Sequence, residues 1–302
     1  AQETDGTDDR GEEEGEGPVG NQPWKEGDPP VVVRKKMIPR APHDAPDPVA
    51  QTRLIGPRRT VKPNGSIVTT SASTSRSAPS IGTGFDGPGN GMTNFTVRYA
   101  PPDTNSAVGL TQIVTTVNVG FAVQDKSGNL LLGPLATNTV FSGFGGACAT
   151  NNDGDAVVRY DRLADRWVLT QFSVSSTPYY ECVAVSKTSD ATGQWYRYAF
   201  QFSDFPDYPK LAVWPDAYYI TYNMFLNGSS WLGGKVCAMD RAKMLVGAAA
   251  TQICYGLSTS YGGLLAGDVD STTPPPDGAP NPIIALGVAW NDLAAWKFKP
   301  DF

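Results

Sequence analysis

Carboxylates set among aromatic rings are the most chemically suggestive feature of this chain. Asp204, Asp207 and Asp216 surround Phe205, Tyr208, Trp214, Tyr218 and Tyr219 within SDFPDYPKLAVWPDAYY. Tyr208, Trp214 and Tyr218 are candidate ligand-binding rings, because such rings stack on the apolar face of a pyranose. Two of the aspartates could act as acid and as nucleophile or base on a glycosidic bond. The plainer role for the same residues is rings in a core between sheets and aspartates closing turns. A second cluster is Asn151, Asn152, Asp153 and Asp155, gathered around Gly154. Hard oxygen ligands on a flexible turn suit Ca2+, whereas Asx side chains bonded to their own backbone would give the same composition. Asp103 with Asn105, and Asp268 with Asp270, are thinner versions of the pattern. Lys210 beside Asp207 reads as a surface ion pair, and Asp161, Arg162, Asp165 and Arg166 as a solvated, alternating charged turn.

The single histidine is His43. Beyond it there is no imidazole for a Ser-His-Asp triad or a His-ligated zinc, so catalysis would fall to carboxylates, tyrosine or lysine. A net charge of -6 and a pI near 4.9 argue against a nucleic-acid surface, which needs clustered Lys and Arg. The 4 cysteines, Cys148, Cys182, Cys237 and Cys254, contain no CxxC pair and lie on strand-like segments. Two disulfides in an oxidising compartment are expected. Cys148 with Cys182 and Cys237 with Cys254 are the preferred pairs because each closes a short loop, although sequence alone leaves three connectivities open. The chain begins Ala-Gln, as after removal of a signal peptide, and has no apolar run long enough to span a bilayer. A secreted or cell-surface protein is expected.

The elements that must position these residues are short strands. Frequent glycine and proline with only 18% charged residues is the balance of an all-β chain with many turns. Residues 1–84 are acidic, then Pro-rich, then Ser/Thr-rich, and are expected to be a disordered arm and linker, with calcium or a basic partner as its functional alternative. From residue 85 to 302 strand and turn alternate. VVRYDRLADRWVLTQF, KLAVWPDAYYITYNMF and IIALGVAWNDLAAWKF share one grammar: an apolar strand, an Asp-containing turn, an aromatic-rich strand. The interval of about 50 residues suits a β-propeller blade of four strands better than an immunoglobulin-type sandwich. About four blades are expected, as a small ring or as part of a larger one. WKFKPDF has no evident pairing partner, and a short helix is expected after Asp240, stopped by Gly247.

PPDTNSAVG at Pro101 to Gly109, NNDGDAVVRYDRLADRW at Asn151 to Trp167 and FPDYPKLAVWPDAYY at Phe205 to Tyr219, in that order, resemble a family of secreted bacterial β-propeller proteins. The resemblance spans about residues 85 to 302 and implies a fold, a secreted location and further blades beyond this chain, but no reaction. Ser106 and Ser271 stand where that family carries a turn glycine, which weakens metal binding at those loops. Ser189 to Trp195 is remotely similar to the Asp-box turn of sialidase-like propellers. Extracellular recognition of a glycan follows as the leading expectation, with a polysaccharide or a cell-surface protein as partner. A carboxylate-dependent glycoside hydrolase or polysaccharide lyase, and a structural or adhesive surface protein, are the alternatives.

Overall fold

The computed structural model describes residues 84–302 except 90, 91, 94, 98 and 289–291, together with the backbone of three short strands nearer the N-terminus. Those are β1 (Lys35–Lys36), β2 (Arg59–Val61) and β3 (Ile67–Thr69). The expected disorder of residues 1–84, and His43, otherwise lie outside the described residues. Two compact units divide the chain: Ile38–Gly84, in which β2 pairs antiparallel with β3, and Ala1–Met37 with Phe85–Phe302.

The larger unit is all-β and consists of four antiparallel sheets of four strands. The first holds β4 (Asn105–Val108), β5 (Gln112–Val117), β6 (Gly120–Asp125) and β7 (Leu130–Ala136). In the second are β8 (Val157–Asp161), β9 (Arg166–Ser173), β10 (Tyr179–Ser186) and β11 (Trp195–Phe202). The third contains β12 (Phe205–Val213), β13 (Ala217–Leu226), β14 (Ser230–Asp240) and β15 (Gln252–Gly256). In the fourth, β16 (Leu265–Ala266), β17 (Asn281–Leu286) and β18 (Asp292–Phe298) run in order, and β1 pairs with β18. The first three sheets are meanders of sequential antiparallel strands, and the fourth is completed by β1 from the N-terminal part of the chain. WKFKPDF, for which no partner is evident in the sequence, pairs through Trp296 to Phe298 with Ile283 to Asn281 of β17, while Lys35 and Lys36 of β1 pair with Leu293 and Asp292 at the start of β18.

Three further segments have local structure of their own. TQIVTTVNVGFAV is two strands, because the chain reverses at Asn118-Val119. A helical turn at Thr137–Phe141 leads into FSGFGGACAT, which holds a helix, α1 (Gly146–Thr150), that carries Cys148. The long loop after Tyr261 contains the short β16. The expected helix after Asp240 is α2 (Arg241–Met244): Asp240 Oδ1 caps it by accepting from the Lys243 amide, and Gly247 follows in the left-handed region.

The sheets stack face to face through apolar side chains. Val114 and Val123 of the first meet Val158, Leu169 and Ala184 of the second. Val168, Val183 and Phe200 of the second meet Val213, Ile220 and Met224 of the third. Ala212, Tyr219 and Val236 of the third meet Ile283, Ala285 and Trp296 of the fourth. The leading strands β4, β8, β12 and β16 consequently stand side by side. Side chains tie their backbones together. Asn105 Oδ1 accepts from Val158 N at 2.9 Å, Arg159 Nε donates to the Leu211 carbonyl at 3.0 Å, and Asp268 Oδ1 accepts from Val213 N at 2.8 Å.

Both expected disulfides are present, Cys148–Cys182 and Cys237–Cys254. Cys237 and Cys254 face each other across β14 and β15, so their sequence separation of 17 is closed by strand pairing as well as by sulfur. Such a bridge acts mainly by restricting the unfolded chain. Replacing both cysteines by serine is expected to lower unfolding free energy by about 3 kcal/mol, read as a reduced urea midpoint with an m-value that rises as the released chain expands in the unfolded state. The pair of bridges fits an oxidising compartment. No helix among the described residues is long and apolar enough to cross a membrane.

Candidate functional site

Three successive leading strands are preceded or interrupted by a residue with left-handed backbone. Asp103 (φ 39), two residues before β4, Asp155 (φ 48), two before β8, and Tyr208 (φ 55), in the bulge of β12 between Asp207 and Lys210, occupy a region that side-chain-bearing residues rarely adopt. Such strain persists only where neighbours hold it, and it concentrates at functional sites. Here the three residues line one pocket of about 260 Å3 with Asn105, Arg159 and Lys210.

Asn118, on the β5–β6 turn, organises the acidic side. Its Nδ2 donates to Asp103 Oδ2 at 2.6 Å and to the Pro101 carbonyl at 3.2 Å, while its Oδ1 accepts from Asp155 N at 3.0 Å. Gly154 is required beside it: its φ is +111, and a β-carbon there would stand 2.6 Å from Asn118 Oδ1. The Asp155 carboxyl comes within hydrogen-bond reach of Asp103. Burial, reinforced by the charges of Asp103 and Asp207, pushes Asp155 up to about 6 against the opposing pull of Lys210. Asp207 is raised too, chiefly by burial, and burial likewise lowers Lys210. Lys210 is not a surface ion pair. Its Nζ lies 3.3 Å from the centroid of the Tyr208 ring, a cation–π contact, and donates to the Pro209 carbonyl. The Tyr208 side is open, with 51% of the residue exposed. The pocket therefore offers two carboxyl groups, an ammonium group and an aromatic ring, with the Asp207 charge close enough to act on Asp155.

The sequence-predicted residues separate on this frame. Of Asn151, Asn152, Asp153 and Asp155, only Asp155 reaches the pocket. The other three hold the loop: Asn151 Nδ2 donates to Ser173 Oγ, Asn152 bridges the Asn138 amide and the Val119 carbonyl, and Asp153 accepts from Val174 N, Ser175 N and Ser175 Oγ. These side chains thus do not converge on one point, and among the described residues no three His, Cys, Asp or Glu side chains form a group that could hold a metal ion.

Of Asp204, Asp207 and Asp216, only Asp207 lies with Asp155. Asp204 sits in the β11–β12 turn beside Ser203, and Asp216, beyond the far end of β12, accepts from the Tyr219 hydroxyl. Among the rings, Tyr208 alone is open to a ligand. Tyr218 is fully buried and donates to Asp161 at 2.8 Å, and Trp214 is half-buried with Nε1 donating to the Ala279 carbonyl. Asp161 is a further correction. Far from solvated, it is completely buried and paired with Arg241, because the β8–β9 turn folds its carboxylate inward against α2. Of the remaining turn charges, Arg162 pairs with Asp270.

Asn118, Asp103 and Arg159 were not grouped with the site by sequence. Aligning PPDTNSAV with GDAVVRY and FPDYPKLAV as strand beginnings would have brought Asp103 beside Asp155 and Asp207. Asn118 leaves no such signal, since it comes from a turn one sheet away. The Asp-box-like segment is a β-turn between β10 and β11, closed by Asp190 with Thr192 and Gly193.

The chain matches no protein-family model, no curated protein and no solved structure.

Proposed function

We propose that the four sheets are consecutive blades of a secreted β-propeller and that the pocket at their leading strands recognises an extracellular saccharide. The observation that carries this reading is the pocket lined by Asp103, Asp155, Lys210 and the open Tyr208 ring, with the Asp207 charge acting on Asp155, where three successive leading strands meet. Clustered carboxylates accept from vicinal hydroxyls, an ammonium donates to ring or glycosidic oxygens, and an exposed ring supplies a stacking face. In a propeller this position opens on the central axis, a natural concave site.

A second reading is cleavage. The proximity of the Asp155 and Asp103 carboxyls favours it, since one proton held between two carboxyls supplies a general acid and a base in one site. A glycan array followed by a reducing-end assay on array-positive glycans distinguishes the two. Binding without new reducing ends supports recognition, and new ends lost in Asp155→Asn support hydrolysis. Silence in both would overturn the saccharide reading in favour of a structural or adhesive surface protein. For a binding glycan, Asp155→Asn and Asp207→Asn are expected to weaken affinity by about tenfold or more each, the weight of a charge-assisted hydrogen bond. The array is run with calcium and with chelator, which tests the expected calcium dependence. Binding lost in chelator would give calcium a bridging role.

A further inference from the structure

Away from this pocket, a groove of about 450 Å3 runs between the outer strands of the first and second sheets. Leu132 and Leu135 of β7, Val140 of the helical turn and Trp195 of β11 give it an apolar floor on one side, and Thr139, Ser142 and Gln194 line it with polar groups. Lys187 and Arg197 stand at its rim. Both cations are held in place by neutral groups. Lys187 Nζ donates to Gln194 Oε1 and lies 5.2 Å from the Tyr196 ring centroid. The Arg197 guanidinium donates to the Ser142 carbonyl and lies over the Phe144 ring. Neither is in an ion pair with a carboxylate of the described residues. Asp190, the acidic residue of the adjoining turn, has its Oδ1 engaged by Gln112 and Thr192. In a chain of net charge -6, two positioned cations without carboxylate partners over an aliphatic floor form a site complementary to negative charge.

The geometry points to this groove as a binding site for an amphipathic organic anion, with a carboxylate or sulfate headgroup between Lys187 and Arg197 and an aliphatic or aryl body on Leu132, Leu135 and Val140. The size suits a small molecule. A guanidinium at the rim can add a directional charge-assisted bond to the burial of the body.

Isothermal titration of the full chain with octyl sulfate and with octyl glucoside, each below its micellar concentration, tests the proposal with one tail and two headgroups. Octyl sulfate is expected to bind at least about tenfold more tightly. Lys187→Gln with Arg197→Gln should bring the two probes to within about threefold of each other. Should loss of the bond to Ser142 unfold that variant, two others keep the test open. Lys187→Gln alone, on an exposed side chain, is expected to cost octyl sulfate about threefold or more, and Leu135→Glu should weaken octyl sulfate more than octyl glucoside. Equal binding of the two probes to the unmodified protein, or no binding of octyl sulfate, would overturn the assignment. So would an affinity for octyl sulfate that survives removal of charge.

Discussion

Asp161→Ala is expected to destabilise the fold by roughly 3–5 kcal/mol, the cost of breaking a buried ion pair from one side. The carboxylate is fully buried and accepts from Arg241 Nε at 2.7 Å and Nη2 at 3.1 Å, from the Tyr218 hydroxyl and from the Leu163 and Ala164 amides. Removing it leaves a guanidinium in a site where the Pro215 carbonyl is its other hydrogen-bond acceptor. It also releases the β8–β9 turn. A double-mutant cycle with Arg241→Met, read by urea denaturation, should show that the two losses are not additive. Once the cation is gone, the missing carboxylate costs only its turn and tyrosine bonds. Additive losses would mean that the pair contributes nothing as a pair.

Glu181→Gln is expected to stabilise the protein at alkaline pH and to leave it unchanged near pH 4. Glu181 lies on β10 in the interface between the second and third sheets, fully buried, with neither carboxyl oxygen in a well-formed hydrogen bond. Thr170 and the Tyr222 hydroxyl flank it, and the Asp155 charge reaches it from the pocket side. Burial pushes its pKa up to about 8 from 4.5. A group raised in this way is protonated in the folded chain while the unfolded chain has already lost its proton. Its contribution is therefore complete below about pH 4.5 and is lost progressively as pH rises through about 8. At about 1.4 kcal/mol per pH unit the loss approaches roughly 3–5 kcal/mol. Glutamine cannot ionise, so the variant should hold its stability from pH 6 to 8.5 while the unmodified protein declines. Asp155, raised to about 6, adds a decline of the same sign at lower pH. The window above pH 6 therefore reports Glu181. Parallel profiles for the two proteins across that window would contradict the assignment.

Much of the fold is legible in the sequence because its signals are local. Alternating residues such as TQICYG, the Asn227-Gly228 turn and the Asp240 cap each act over a few positions, and the interval of about 50 residues orders the sheets. Both cysteine pairs follow from loop length in the same way. Local reading fails where one chemistry serves two roles. NNDGD and DRLADR look alike as polar turns, yet Asn151 to Asp153 bond to peptide groups and neighbouring hydroxyls, Asp155 turns to a pocket, and Asp161 is buried against Arg241. Composition cannot distinguish these, because the deciding partners, Asn118 and Arg241, lie some 40 and 80 positions away. Trp214 and Tyr218 show the same limit: an aromatic strand reads identically whether its rings face a ligand or the next sheet. Glu181 is the harder case, since nothing in YYECVAVS marks a carboxyl that will be sealed between sheets.

Carbon-13 titration of the aspartate carboxyls, with and without a glycan taken from the array, tests the pocket most directly. Asp155 is expected to titrate near 6 in the free protein, Asp103→Asn to lower that value, and the bound glycan to shift it while leaving the remote Asp190 unmoved. An Asp155 that titrates near 4 and is indifferent both to Asp103→Asn and to glycan would overturn the assignment of this pocket.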